Sequence, residues 1–487
     1  MQQLSPSLAE NLRALKARFG ASADYYAKEI SIYHCKGCLV LFDGMASLDS
    51  LWALLLDTAS RQAPPGAAPA ATGDGQAVFE MIQYGSAFPA ESTPVEDLPD
   101  LVRRITAGMA VLLLDGCPKG IAFSVQGLKF RSVDQPAGEG ELRGSREGFA
   151  DLLRVNLSLL RRLVRTQDLV QEVAQANTAA GTEYALCYCK TKADPAMVRQ
   201  VRQLLAAARP ELLLDSSYFM PWLLPTRLRL FTPVRYTERP AVACAKLCEG
   251  KLVVLVNGSP SAMVLPALFR ENFECLDDYA STAAFSSFLR LLRYGAFWLT
   301  VFLPGAFVCL AVYLPELIPP QLLYKIEAAE KATPLPLFGE MLLVILLLEI
   351  IREAGLRMPQ SLGHSVSLVA ALILGDAAIA TGLMSTPVIF VASITSIAVF
   401  VTPPLYETAT LLRIGVVLAA GLGGPAGLAG AFFAVLLSLS GTGMLGVPYL
   451  GSRALGQPLA EDGVIRRNYR QLSQKEFNIW QKRRPGP

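Results

Sequence analysis

Charged residues are scarce in this chain of 487 residues: Asp, Glu, Lys and Arg make up 17% of it, against about 25% in a typical soluble domain. Up to Arg293, apolar and charged stretches alternate as they do in a globular protein. Beyond Gly295, charges become sparse and apolar runs follow one another. The sequence therefore predicts a soluble region of about 290 residues followed by a membrane-embedded region.

Motifs for catalysis and cofactor binding are also lacking. There is no Walker loop, no G-x-S-x-G motif and no G-x-G-x-x-G motif that opens a helix. The chain has only two histidines and a single CxxC pair, Cys35 and Cys38; Cys244 and Cys248 lie four residues apart. We predict no enzymatic activity, no cofactor and no metal, a zinc site made by these four cysteines being the alternative. A net charge of +3 is too small to favour nucleic acid.

The start of the chain carries no secretory signal, because residues 1–20 are polar and amphipathic and contain no apolar core. We therefore expect the soluble region to stay in the cytoplasm. Its cysteines are then expected to be reduced thiols.

Five apolar segments are candidates for membrane crossing: 295–314, 337–351, 365–384, 388–401 and 414–440. The fifth contains Gly424 and Pro425, which predict a break in its helix. Arginines before the first segment, Arg290 and Arg293, and in the tail predict that both ends face the cytoplasm. An even number of crossings follows, so we predict four full crossings and one partial segment, or a fifth segment folded back on itself.

Three acidic residues lie in these segments: Glu340, Glu349 and Asp376. An ionisable group inside a bilayer costs a few kcal/mol unless it faces protein or water, so each is a candidate for an ion pathway. Glu340 would form an acidic ring in an oligomer, or cap the start of its helix. The alternative for Glu349 is a pair with Arg352, and for Asp376 a hydrogen bond between helices.

The soluble region contains an internal repeat. Residues 108–118 and 250–260 match at an offset of about 142 residues, and each predicts a buried strand that ends in an Asp-Gly or Asn-Gly turn. A weaker match joins residues 38–42 and 184–188. We therefore predict two related α/β lobes, at about 30–135 and 180–275.

Between the lobes, the sequence predicts a polar connector over 131–147 and then a helix over 151–167. The predicted apolar face of this helix carries Leu152, Val155, Leu159 and Leu163. Its arginines either form a solvated face or pair with acidic neighbours, or they contact another subunit or anionic lipid headgroups.

The predicted fold class is an α+β soluble region with a polytopic α-helical membrane region. The predicted domains are a first α/β lobe with an N-terminal helix (1–135), the connector and basic helix (136–180), a second α/β lobe (181–290), a transmembrane region of four to five segments (291–450) and a basic cytoplasmic tail (451–487).

Motifs around the connector resemble those of the GerA-type spore germination proteins, the A subunits. The residues that carry the resemblance and are expected to serve assembly are Arg143, Gly144, Arg146, Glu147, Asn156, Arg161, Arg162, Glu238, Arg239 and Pro240. Ser145 and residues 402–407 are similar to the stage V sporulation protein AF (SpoVAF) branch of this family.

The resemblance implies a multi-pass protein of the inner membrane of the bacterial endospore. It also implies a homo-oligomer, pentameric in the family, that releases monovalent cations early in germination and works with other germination membrane proteins. The SpoVAF-like branch implies an amplifier of germination signalling. The alternatives are the A subunit of a nutrient germinant receptor, a secondary transporter that uses the broken fifth segment, and a membrane scaffold.

Overall fold

The computed structural model describes residues 3–32, 35–46, 74–84, 92–125, 139–140, 144–224, 229–357, 377–451 and 463–466. The described residues form two compact units. One lies within Met1–Pro225 and Val234–Pro266, and the other within Thr226–Pro233 and Ala267–Lys475.

The first lobe of the N-terminal unit is an antiparallel sheet of five strands in the order β1-β2-β4-β5-β3. Helices pack on both of its faces, because the central strands are apolar on both sides. Its elements are α1 (Leu8–Phe19), β1 (Tyr25–Ile32), β2 (Cys35–Phe42), α2 (Gly75–Tyr84), β3 (Ser92–Val95), α3 (Leu98–Thr106), β4 (Ala110–Leu114) and β5 (Gly120–Phe123).

The second lobe has the same strand order, β6-β7-β9-β10-β8, and is also antiparallel. Its elements are α4 (Leu153–Leu163), β6 (Leu169–Gln175), β7 (Glu183–Cys189), α5 (Pro195–Ala207), α6 (Met220–Leu223), β8 (Arg235–Thr237), α7 (Pro240–Cys248), β9 (Leu252–Val256) and β10 (Ala262–Leu265).

Matching glycines show how the two repeated segments adopt the same backbone path. Gly108 and Gly250 precede β4 and β9 with φ of 91° and 87°. Gly116 and Gly258 follow these strands with φ of 83° and 93°. Because L side chains rarely adopt positive φ, glycine at both places lets each segment enter and leave its strand through a tight turn.

The correspondence extends to the first helix of each lobe. The side chain of Asp115 accepts a hydrogen bond from the Leu8 backbone N–H at 3.1 Å, and that of Asn257 accepts one from Leu153 at 3.0 Å. Helix α4 therefore takes in the second lobe the place that α1 takes in the first, whereas the sequence analysis assigns it to a connector.

The buried face of α4 differs from the predicted one. Leu152 precedes the helix and is 64% exposed, and Leu163 is 42% exposed. The core takes Leu153, Leu157 and Leu160 together with the predicted Leu159, and the predicted Val155 packs against it while partly buried. The Asn257 side chain caps the helix at Leu153, so Leu152 stays outside it.

The C-terminal unit is helical. It contains α8 (Asp277–Ala280), α9 (Ala283–Tyr313), α10 (Pro320–Glu330), α11 (Leu337–Arg357), α12 (Ala378–Ala380), α13 (Thr386–Ala398) and α14 (Tyr406–Gly441), then the short strands β11 (Gly443–Met444) and β12 (Val447–Pro448). Among the described residues, two helices, Ala283–Tyr313 and Pro403–Gly441, are long and apolar enough to cross a bilayer. Most of the predicted segment 365–384 lies outside the described residues.

Helix α14 is broken where the sequence predicts a break. Gly424 has φ of 55° and ψ of −139°, and Pro425 follows it. Before the break, α14 runs beside α9 in the same direction: Val416 lies against Gly305, and farther along both helices Tyr313 Oη donates to the Gly421 carbonyl at 2.6 Å.

After the break, α14 returns along α9. The Phe432 ring lies 5.6 Å from that of Phe302 and 6.0 Å from that of Trp298, well back from the end of α9. The chain then reaches the start of α9, where the Arg466 backbone N–H donates to Ser287 Oγ at 2.9 Å. The two halves of α14 thus form a helical hairpin whose tip is Gly424.

Candidate functional site

The loop that carries the connector motif is attached to α4. Asn156 accepts a hydrogen bond from the Ala150 backbone N–H at 2.7 Å and donates one to its carbonyl at 2.6 Å. Arg162, one turn and a half farther along the helix, forms an ion pair with Glu147. Gly144 has φ of 119°, a conformation that favours glycine.

Arg239 holds the same loop from the other side. Its Nη1 donates to the Ser145 carbonyl at 2.7 Å and its Nε to the Glu139 carbonyl at 3.0 Å. The neighbouring Glu238 carbonyl accepts from the Phe149 backbone N–H at 2.7 Å, and Pro240 opens α7. The structure therefore brings together five of the predicted motif residues: Glu147, Asn156, Arg162, Glu238 and Arg239.

Two other predicted motif residues are not part of this cluster. Arg146 is exposed, and Arg143 lies outside the described residues. The cluster joins a loop, a strand end and two helices within the second lobe. Its role is structural, since these hydrogen bonds and the ion pair join groups of the same lobe.

Arg161 connects the two lobes. Its Nε and Nη2 donate to the Asp24 carboxylate at 2.7 and 2.9 Å, and Nη2 also donates to Ser22 Oγ at 2.9 Å. The guanidinium lies 4.3 Å from the centre of the Phe42 ring. The Arg161 side chain is fully buried, so its charge depends on Asp24 for compensation.

Arg154 on α4 and Arg165, two residues past the end of this helix, also have partners. Arg154 pairs with Asp43 at 2.7 Å, and Arg165 Nε donates to the Arg162 carbonyl at 3.1 Å. The pairing with acidic neighbours therefore accounts for three of the four arginines. Among the two interpretations of this basic helix, salt bridges within the chain are the one the geometry supports.

A crevice opens where the lobes meet. It has a volume of about 110 Å³ and is lined in part by Asp24, Asp43, Arg154 and Glu183. Pockets that bind drug-sized ligands measure roughly 300–1,000 Å³. This crevice is too small for such a ligand, and three of these four lining charges take part in the ion pairs just described.

Glu340 is fully buried in the helical unit. Its carboxylate accepts hydrogen bonds from the Ser385 backbone N–H and, at 3.1 Å, from Ser385 Oγ. Ser385 precedes α13, so the carboxylate lies at the positive end of that helix. Glu340 therefore joins the first turn of α11 to the start of α13, and the expected acidic ring stays a prediction.

Glu349 lies at the centre of a second polar cluster in this unit. It accepts from Arg352 Nε at 3.3 Å, as the alternative interpretation expects, and also from Arg413 Nη2 and Tyr406 Oη. Arg413 is fully buried, and its Nη1 also donates to Ser396 Oγ at 3.4 Å. One carboxylate thus links α11 to α14, and Arg413 extends the link to α13.

Sequence reasoning missed Arg413 because it starts the fifth apolar segment one residue later. The available signal is a lone arginine within an apolar run, a pattern that requires an acid on a neighbouring helix. The third predicted acid, Asp376, lies outside the described residues.

Arg290 and Arg293, which precede the first predicted membrane segment, both pair with the buried carboxylate of Asp278. Arg290 Nε lies 3.0 Å and Arg293 Nη1 2.8 Å from Asp278 Oδ2. Arg290 Nη1 also donates to the Gly463 carbonyl at 3.2 Å. The start of α9 and a piece of the tail are therefore held together.

The four cysteines considered for zinc are divided between the lobes: Cys35 and Cys38 lie on β2, and Cys244 and Cys248 on α7. Among the residues that the structure describes, no group of three or more His, Cys, Asp or Glu side chains could hold a metal ion. The pKa of the Cys248 thiol is lowered to about 6, mainly because Cys189 donates a hydrogen bond to it.

These features define a class of protein: a duplicated α/β region followed by a helical region with two apolar helices of bilayer length, in which buried polar groups tie elements together. A model of the Bacillus/Clostridium GerA spore germination protein family matches residues 13–477. The chain belongs to this family.

Two characterised relatives match most of the chain. Spore germination protein KA of Bacillus subtilis (strain 168) is 29% identical over 467 residues, which cover 95% of this chain and 84% of that protein. Stage V sporulation protein AF of the same organism is 28% identical over 366 residues, covering 74% of this chain and 73% of that protein.

A solved structure also matches the chain. The N-terminal domain of the A subunit of the Bacillus megaterium spore germinant receptor GerK3 is 23% identical, with a TM-score of 0.44, and the match covers 55% of this chain and 98% of that domain.

Proposed function

We propose that this protein is the subunit of an oligomeric channel in the inner membrane of the endospore, which releases monovalent cations during germination. In this proposal it amplifies the germination signal, as the SpoVAF branch is expected to do. The lobes and the tail face the cytoplasm and the helical unit crosses the membrane several times. Membership of the GerA family supports the setting in germination.

The exposed apolar surface of the helical unit carries the proposal. Large apolar side chains project from α13 and α14: Phe390 is 64% exposed, Leu411 63%, Leu422 77%, Phe433 61% and Leu437 72%. In water, such a surface would be covered by another molecule. Acyl chains of a bilayer and further copies of the chain would cover it here.

In contrast to these exposed apolar side chains, three charged side chains of the helical unit face its interior. Glu340, Glu349 and Arg413 are turned inward and hydrogen-bonded between helices. This is the arrangement that a low-dielectric surrounding favours, because unpaired charge in lipid is costly. We propose that Glu340 and Glu349 hold the helices around the ion path, and that Asp376 is the acid that faces it.

Flux measurements test the proposal. The purified protein is reconstituted in liposomes, and potassium flux is measured for the unaltered chain, Asp376→Asn and the control Glu353→Gln, whose carboxylate is exposed and pairs with Arg357 at 2.7 Å. We expect flux from the unaltered chain and the control and a reduced flux from Asp376→Asn. No flux from a purified oligomer would contradict the channel, and equal flux from all three would contradict the role of Asp376.

A secondary transporter is the second candidate, and the break at Gly424 favours it. Discontinuous membrane helices often expose backbone groups to a transported substrate. Saturable uptake by a monomeric protein, with no conductance, would support this candidate over a channel.

The A subunit of a nutrient receptor is a further candidate, which the resemblance of the connector motif to the GerA-type A subunits leaves open. Deletion in spores separates the two roles. Loss of the response to one nutrient would indicate a receptor subunit, whereas slower ion release with every nutrient would indicate an amplifier.

A further inference from the structure

The contact between the two lobes is asymmetric. The first lobe contributes the turn before β1, with Ser22, Ala23 and Asp24. The second lobe contributes Arg161 on α4 and the outer edge of β6, where the Gln171 carbonyl accepts from the Ala23 backbone N–H at 2.8 Å and its N–H donates to Ser22 Oγ at 3.1 Å. The first lobe thus supplies a turn with an acidic residue, Asp24, which we call the acidic half of the contact. The second lobe supplies a helix with a basic residue, Arg161, and the edge strand β6, which together we call the basic half.

Each lobe contains the acidic half of this contact. The carbonyl of Asp24 accepts from the Asp43 backbone N–H at 2.8 Å, just after β2, and the carbonyl of Asp168 accepts from the Lys190 N–H at 2.7 Å, just after β7. Asp168 therefore occupies in the second lobe the position of Asp24 in the first.

Each lobe also contains the basic half. Asn11 on α1 exchanges hydrogen bonds with the Ser5 backbone at 2.7 and 3.0 Å, as Asn156 on α4 does with Ala150. Counted from these asparagines, Lys16 on α1 stands where Arg161 stands on α4. The strand that follows each helix, β1 in the first lobe and β6 in the second, is the edge strand at the same end of its sheet.

The chain uses one half from each lobe and leaves the other two on its surface. Lys16 is exposed, and within the parts of the chain that the structure describes its ammonium forms no ion pair. Asp168 is partly exposed and accepts a hydrogen bond only from Thr191 Oγ1, at 3.2 Å, among the described side chains. The outer edge of β1 lies at the end of its sheet, with Tyr26 45% exposed.

We propose that the two free halves join copies of this chain head to tail, with Lys16 of one copy paired to Asp168 of the next. The contact repeats between chains the geometry of Arg161 and Asp24 within one chain. Such a heterologous contact generates a closed ring of copies when the rotation that relates neighbouring copies allows closure. The inference rests on the proposed homo-oligomer and specifies the contact between its soluble lobes.

Lysine in place of arginine makes this contact weaker than the internal one. An ammonium is a point charge, whereas a guanidinium binds a carboxylate through two N–H donors at once. At a surface, the pair is also screened by salt. The lobes of neighbouring copies would therefore separate at high salt while the two lobes of one chain stay joined.

Cross-linking of the full-length protein in membranes tests the contact. Lys16→Cys and Asp168→Cys are introduced into one chain in which the two exposed cysteines, Cys248 and Cys275, are replaced by Ser, and a mild thiol oxidant is added. We expect a ladder of covalent multimers from this double variant. Each single variant and the parent without either new cysteine should give none, and a mixture of the two single variants should stop at dimers.

Charge reversal provides an independent readout, the mass of the detergent-solubilised assembly by native mass spectrometry. Lys16→Glu and Asp168→Lys should each shift the assembly toward smaller species, and the double reversal should restore it. Arg103→Glu, on the exposed side of α3, is the matched control and should change nothing.

The outcomes separate this contact from the proposed function. An assembly of unchanged mass in all variants, with no ladder, overturns the head-to-tail contact but leaves a homo-oligomer in place. A monomeric unaltered chain overturns both. A ladder together with restoration by the double reversal supports the contact, whether or not the assembly conducts ions.

Discussion

Arg161 and Asp24 form a buried ion pair between elements that lie 137 residues apart in the chain, with nitrogen–oxygen distances of 2.7 and 2.9 Å. This pair joins the two repeated lobes. Removing either partner would leave a buried charge without compensation, which typically costs about 3–5 kcal/mol.

Arg161→Ala should therefore destabilise the N-terminal unit by about 3–5 kcal/mol. The measurement is thermal unfolding of the detergent-solubilised chain, followed by limited proteolysis between the lobes. Arg154→Ala is the matched control, because Arg154 and Asp43 are 76% and 42% exposed and such pairs contribute about 0–1 kcal/mol. Equal effects of the two substitutions would show that Asp24 does not depend on Arg161.

The paired asparagines should contribute alike in the two lobes. Asn156→Ala removes two hydrogen bonds to the Ala150 backbone, and Asn11→Ala removes the equivalent bonds to Ser5. We expect each to lower the free energy of unfolding by about 1–3 kcal/mol. Ser158→Ala, on the same helix as Asn156, removes only the hydrogen bond from Ser158 Oγ to the Val155 carbonyl and should cost less. No loss of stability with either asparagine variant would show that these backbone hydrogen bonds do not stabilise the lobes.

Glu349 and Arg413 should be coupled energetically. Glu349→Leu alone leaves the buried charge of Arg413 unpaired and should cost about 3–5 kcal/mol, whereas adding Arg413→Met should recover most of that loss. Arg413→Met alone should cost less, because Glu349 keeps its bonds to Arg352 and Tyr406. Thermal unfolding in detergent of the two single variants and the double variant forms the cycle. Additive losses would show that the pair does not act as a unit; Glu353→Gln, at an exposed pair, serves as the control.

The tip of the α14 hairpin should accept glycine alone at position 424. Gly424→Ala places a side chain at φ of 55° and ψ of −139° and brings its Cβ within 2.9 Å of the Tyr313 ring. We expect a loss of about 1–3 kcal/mol in thermal unfolding. Gly423→Ala, one residue earlier with open space around its Cβ, should be neutral. A tolerated alanine at 424 would mean that α14 does not reverse there.

Cys248 should react as a thiolate at neutral pH. The pKa of its thiol is lowered to about 6, first by a hydrogen bond from Cys189 and further by the nearby Lys192, although partial burial opposes the shift. Alkylation by iodoacetamide should therefore rise through pH 6 and be fast at pH 7, and it should slow below pH 6 as the thiol becomes protonated.

Cys189→Ala removes the donor and should move the midpoint of Cys248 alkylation toward the ordinary thiol value of about 8.5. Cys275→Ala is the control, since Cys275 is the other exposed cysteine. A midpoint near 8.5 in the unaltered chain would contradict the hydrogen bond between the two thiols.

The α/β character of the N-terminal region, the helical character of the C-terminal region and the break at Gly424 follow from the sequence. Runs of apolar residues that end in Asp-Gly or Asn-Gly predict buried strands, because the apolar side chains and the turn residues favour the same local structure. The family could also be identified, since its motif residues fall in two short stretches of the sequence, 143–162 and 238–240.

Contacts between distant residues were decided by the tertiary structure alone. No periodicity pairs Arg161 with Asp24 or Arg413 with Glu349, because ion pairs between elements depend on how those elements pack. The buried face of α4 was mispredicted for the same reason: Asn257, about a hundred residues away, fixes where the helix begins. The sequence thus determined which elements form and that two lobes repeat, and the packing of those elements determined which charges meet.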